Sequence, residues 1–100
     1  MKVTHFKLVS GEEIIASVTD TTNPAYVLIK NARSIVVVQV SKNEFRLDFA
    51  PFLRANPDGE MQLMTIAIAA QADAHAELET AYLSQTSGLE IASSLSPLMG

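Results

Sequence analysis

The chain has 100 residues, of which 48% are hydrophobic and 18% charged, with a formal net charge of -4. That length suits one domain with a modest core, and the acidic balance argues against non-specific phosphate binding, which needs a basic patch. With no cysteine, disulfides and thiolate metal sites are excluded.

The N-terminus, MKVTHFKLV, lacks the apolar core of a signal peptide, and no apolar run approaches the ~20 residues of a membrane span. We expect a soluble protein of the cytoplasm with no membrane partner. The apolar fraction is high for so short a chain, so association with further copies is expected to cover part of it.

Residues 3–9 predict a first strand, with Thr4, Phe6 and Leu8 on one face and Val3, His5, Lys7 and Val9 on the other. Gly11 marks a turn, where positive φ is least costly for glycine. Residues 13–19 predict a second strand, with Ile14, Ala16 and Val18 opposite Glu13, Ile15, Ser17 and Thr19. Asp20 to Pro24 is rich in turn formers. Residues 26–32 predict a third strand, and residues 34–40 a fourth, dense in valine. The fourth is apolar on both faces, Val36, Val38 and Val40 against Ile35 and Val37, so both faces are expected to be covered.

Ser41 to Glu44 reads as a hairpin loop, and residues 45–49 as a strand with Phe45, Leu47 and Phe49 on one side. Pro51 ends regular pairing, and Pro57-Asp58-Gly59 is a turn signal. Residues 61–69 predict a final strand, again apolar on both faces, with Met64, Ile66 and Ile68 together. The period then changes. Gln71 to Thr86 reads as an amphipathic helix capped by Asp73, with Ala74, Leu78, Ala81, Tyr82 and Gln85 facing the protein and Gly88 at its C-terminal stop. Residues 89–100 carry Leu89, Ile91, Leu95, Leu98 and Met99 among serines and are expected to be flexible or to dock on a neighbour. The expected organisation is residues 1–70 as a β-domain, 71–88 as its C-terminal helix and 89–100 as a tail. The expected fold class is mainly β, a small, strongly bent barrel of five to six antiparallel strands with a C-terminal helix, since closure limits exposed edges.

The opening stretch resembles the first half of an Sm-like (Lsm) domain. Leu8, Gly11, Ile14, Ala16, Val18, Leu28 and Asn31 sit in comparable places. The resemblance covers residues 6–40 by motif and 6–70 by strand order, and is greatest to short, divergent forms from phages and marine viral sequences. It implies a non-catalytic protein that assembles as a homo-oligomeric ring of about five to seven subunits. It also implies RNA as a partner and a cytoplasmic home, including that of an infected host cell. In the family, the fourth strand of one subunit pairs with the last strand of the next. The subunit interface is therefore expected at Val36, Val38, Val40, Met64, Ile66 and Ile68. The chain departs from the family at the binding loop. Thr22, Pro24 and Tyr26 stand where its loop aspartate, base-stacking residue and base-reading asparagine fall, with Asn23 one place away. The Arg-Gly pair of its second motif is absent between Met64 and Ala70. The nucleic-acid-binding residues are therefore left unassigned. A structural or adaptor protein that engages a protein partner is the alternative.

No catalytic constellation is evident. His75 and Glu79 share a helical face but have no third ligand, so no metal or other cofactor is expected. Glu12 and Glu13 adjoin a hairpin turn, where adjacent residues point to opposite faces, and are read as a solvated turn rather than an acid/base pair. No G-x-S-x-G and no Gly-rich phosphate loop occurs. Tyr26, Phe45, Phe49 and Phe52 are read as core rather than base-stacking residues. Arg33, Arg46 and Arg54 are read as surface arginines that ring symmetry could gather at a pore.

Overall fold

A computed structural model describes residues 2–86. Within it, six strands form one antiparallel sheet: β1 (Lys2–Leu8), β2 (Glu13–Asp20), β3 (Tyr26–Ser41), β4 (Glu44–Pro51), β5 (Glu60–Met64) and β6 (Ile68–Asp73). A 3-10 turn at Thr65–Ala67 joins β5 to β6, and one helix, α1 (Ala76–Thr86), follows. The spatial order is β4-β3-β2-β1-β6, with β5 paired to β3. The ladder does not close among the described residues, so the expected barrel is observed as an open sheet.

The first two strands alternate as their sequence requires. Phe6 faces Ile14 and Thr4 faces Ala16 across the β1–β2 pair, which places Phe6, Ile14 and Ala16 on one side and leaves Val3 and Ile15 on the other. The turn between them holds Gly11 at φ 95°, with the Gly11 N–H donating to Leu8 O at 2.9 Å. On that side lies the main core, built from Phe6, Leu8, Ile14, Ala16, Val27, Ile29, Ala32 and Leu63. Phe6, Ile14, Ala16, Ile29 and Ala32 are wholly buried, yet the helix packs against the other side. A sheet face can be dry without a second layer only if the sheet curls over itself, so strong curvature follows from the burial.

Three expectations need correction. The third and fourth strands are one, β3, of 16 residues. Its first half pairs with β5 from Tyr26↔Met64 to Lys30↔Glu60, and its second half pairs with β4 from Arg33↔Pro51 to Ser41↔Glu44. The point between them is a bulge: Ile15 opposes Arg33 while Ser17 opposes Lys30, so β3 carries one extra residue. Asn31 sits there at φ 55°, a left-handed conformation that asparagine tolerates better than most residues. The expected break between residues 32 and 34 is thus a bend in a continuous strand.

The expected final strand, residues 61–69, is in turn broken into β5, the 3-10 turn and β6. Thr65 fixes the corner: its N–H donates to Ala25 O at 3.0 Å and its Oγ1 to Pro24 O at 2.9 Å. Finally, Gln71–Asp73 is strand, not helix, because it pairs with Thr4–Phe6 of β1. Asp73 is not a cap but forms an exposed ion pair with Lys2 at 2.8 Å. The cap is His75, whose carbonyl accepts the Glu79 N–H at 2.8 Å and whose Nδ1 accepts the Glu77 N–H at 3.3 Å. The Gly88 stop and the tail lie outside the described residues.

Candidate functional site

The helix is held over the bend of β3 by one side chain. Tyr82 is wholly buried and lies in a second core with Val3 and Ile15, flanked by Ile35, Phe49, Ala74 and Leu78. Its ring meets Phe49 edge to face at 6.3 Å between centroids. Its hydroxyl lies 2.9 Å from Asn31 O, 3.2 Å from Lys30 O and 3.0 Å from Ser17 Oγ. One phenolic proton serves the carbonyls, so Ser17 donates to Tyr82. Burial pushes the phenol above its ordinary range. Asn31 falls between the registered partners Lys30 and Arg33 on the β2 side, and the Tyr82 hydroxyl reaches its carbonyl there.

Beyond that point β3 and β4 continue as a ribbon. β2 reaches only as far as Ser34, so one edge of β3 from Ile35 onward is unpaired by β2, while β4 covers the other. On the helix side of the ribbon Val37 is 67% exposed, Phe45 63% and Leu47 55%. On the reverse, Val36 and Val40 are exposed and Val38 is half-buried. Phe45 is therefore not the core residue its alternation predicts. Tyr26 and Phe49 are half-buried, and Phe52 packs against the main core.

The six residues expected at a subunit interface fall in two places. Val36, Val38 and Val40 share one face at the far end of β3. Met64 opposes Tyr26 at the start of β3, Ile66 lies in the 3-10 turn and is 87% exposed, and Ile68 opens β6 and packs on the main core. Within one subunit Val36, Val38 and Val40 lie at the far end of β3, away from Met64, which pairs at its start.

The sheet also ends in unpaired edges. Among the described residues, β6 pairs only with β1, β4 only with β3 and β5 only with β3. Exposed backbone edges of this kind are templates for another strand.

The polar candidates are committed to local structure. Asp20 Oδ1 accepts the Thr22 N–H at 2.8 Å, which holds its carboxyl below the ordinary carboxylate range. Asn23 Oδ1 accepts the Ala25 N–H at 2.8 Å. Both are turn bonds within the β2–β3 loop. Arg33 donates to Pro57 O and Asp58 Oδ1, each at 2.6 Å, and its side chain is largely buried. It pins the loop after β4, whereas Arg46 and Arg54 are exposed, Arg46 with Asp48 Oδ2 at 3.8 Å. Glu12 accepts from Ser34 Oγ at 2.6 Å, while Glu13 meets His5 Nε2 at 2.8 Å. The two glutamates thus serve opposite faces. Asp58 and Glu60 also act locally, Glu60 by accepting from Thr19 at 2.9 Å. No group of three or more His, Cys, Asp or Glu able to hold a metal occurs among the described residues.

One further feature escaped the sequence. Leu47 and Phe49 of β4 face Leu78 and Ala81 of α1 across an apolar groove of about 420 Å³, rimmed by His5, His75 and Glu77. Leu47 and Ala81 were each assignable to an apolar face, but their meeting depends on where Tyr82 sets the helix.

No protein-family model matches the chain, and no curated protein matches it.

Proposed function

We propose that the chain is a non-catalytic, Sm-like assembly module that closes into a homo-oligomeric ring through its sheet edges. The observation that carries this reading is the pair of unpaired ends of one strongly curved sheet, β6 on one side and β5 with β4 on the other. Copies joined head to tail, β6 of one against β5 of the next, would satisfy both edges and repeat until the rotation closes. This moves the seam. Residues 35–40 keep one free edge, but the apolar side chains that lie beside the β5 edge, Met64 and Ile66, are exposed, and we take that edge as the match to β6.

Light scattering at micromolar concentration tests the assembly. The expected result is a ring of about five to seven subunits, and a monomer there removes the reading. Ile66→Lys and Val38→Lys are expected to separate the two candidate seams. The first should dissociate the ring and the second should leave it intact.

Of the two partner classes, RNA rests on the family resemblance, whereas the loop chemistry favours a protein partner. The oxygen acceptors of Asp20 and Asn23 are taken by their own loop and Arg33 is taken by Asp58. The net charge of -4 adds repulsion toward phosphate. Anisotropy with oligo(U) and oligo(A) at low salt is expected to show no binding; saturable binding of either restores the RNA reading.

A further inference from the structure

We propose that the apolar groove between β4 and α1 is the docking site of the same chain's own C-terminal segment, residues 87–100. The groove is built from Leu47 and Phe49 on one wall and Leu78 and Ala81 on the other. Polar groups enter only at the rim, from His5, His75 and Glu77. At about 420 Å³ it is large enough to take two or three aliphatic side chains, and Leu47 remains 55% exposed within it. An apolar trough of this kind is stabilised by an apolar occupant.

The segment that follows α1 fits that description. Residues 87–100 hold Leu89, Ile91, Leu95, Leu98 and Met99 and a single charged side chain, Glu90. Leu89 and Ile91 flank Glu90, so in an extended chain they share one face and Glu90 takes the other. Two apolar groups would enter the trough while the carboxylate stays in water.

Reach favours the same chain. Leu78 lies eight residues before the last helical residue, Thr86, so the groove begins about 12 Å back along the helix axis. Gly88 stands where a chain leaving a helix most readily reverses. About four extended residues then cover the distance, and the segment supplies more than that. A tether this short gives a high effective concentration, against which a second copy's segment must compete.

The test uses the full-length chain, whose lack of cysteine makes engineered thiols unambiguous. Ala81→Cys is combined in turn with Leu89→Cys, Ala92→Cys and Leu95→Cys, and disulfide formation is followed on non-reducing gels. We expect at least one pair to close rapidly within a single chain. Adding Leu47→Asp, at a position exposed enough to leave the core intact, is expected to slow closure about tenfold. Circular dichroism checks that the fold is kept. Closure at the same rate with and without Leu47→Asp would mean random collision and overturns the proposal. Covalent dimers would assign the groove to a neighbour's segment, and no bond from any of the three positions would mean another occupant; each result overturns it as well. Loss of the ring leaves these outcomes unaffected, so the two readings fail separately.

Discussion

Tyr82 joins the helix to the sheet at the β3 bulge, one of several breaks in its register. Its hydroxyl serves carbonyls at the β3 bulge that Phe could not serve. Tyr82→Phe keeps the ring and its contact with Phe49, so the loss isolates the hydrogen bonds and is expected to be about 1–2 kcal/mol. Thermal denaturation should show a fall of roughly 4–8 °C per kcal/mol. The pH dependence is a second readout. The folded-state pKa of Tyr82 lies above its ordinary value of 10.0. The neutral phenol therefore contributes stability fully below pH 10, and the contribution is lost as pH rises through the folded value. Between pH 10 and the folded value the wild type should lose stability more steeply than Tyr82→Phe. Asn31 is the backbone half of the same junction. At φ 55°, Asn31→Gly is expected to be nearly neutral and Asn31→Val to cost about 1–2 kcal/mol. Urea unfolding should show a lower midpoint for the valine variant with an unchanged slope.

The strands that read best in the sequence are those whose faces differ. In β1 and β2 alternation set the register, and Phe6 and Ile14 meet where it requires, but burial exceeds it, since Val3, Ile15 and Ser17 on the opposite face are buried with Tyr82. Where both faces are apolar, alternation carries no information about where pairing changes partner. Residues 61–69 have no glycine or proline, yet Thr65 turns the chain because Pro24 and Ala25 offer it carbonyls from a distant loop. Between Lys30 and Arg33 the strand slips register without turning, since an asparagine at positive φ makes a bulge as readily as a turn. Gln71–Asp73 has helix-forming composition, and pairing with β1 overrides it. Composition also left the ribbon half-read. The sequence pointed to valines needing cover, but Val37, Phe45 and Leu47 are left exposed among the described residues. The polar candidates were the least legible, because Asp20, Asn23 and Arg33 are occupied by neighbours that only the fold brings near.

For the whole molecule, the pairing pattern divides into near and far. β1–β2, β2–β3 and β3–β4 each join neighbours in the chain, so a meander over residues 2–51 needs only short connections. β6 is different: Leu8 pairs with Ile68, which closes a segment of about sixty residues. That asymmetry sets an order of events in time. The chain entropy of bringing β6 to β1 is most easily met once the meander exists, so β6 and α1 join on the native side of the rate-limiting barrier. Conservative truncations then divide by position. Ile14→Val in β2 is expected to slow refolding, whereas Leu78→Ala in α1 should leave refolding nearly unchanged and quicken unfolding. Stopped-flow chevrons recorded below the concentration of assembly would show the two arms moving separately. A slower refolding arm for Leu78→Ala would place the helix in the nucleus. An element that joins last is also the first to leave, so the β6 edge that a neighbouring copy would use is the one the subunit holds for the shortest time. Assembly would then act as a kinetic brake, lengthening the lifetime of each subunit by trapping its last-formed strand between two others.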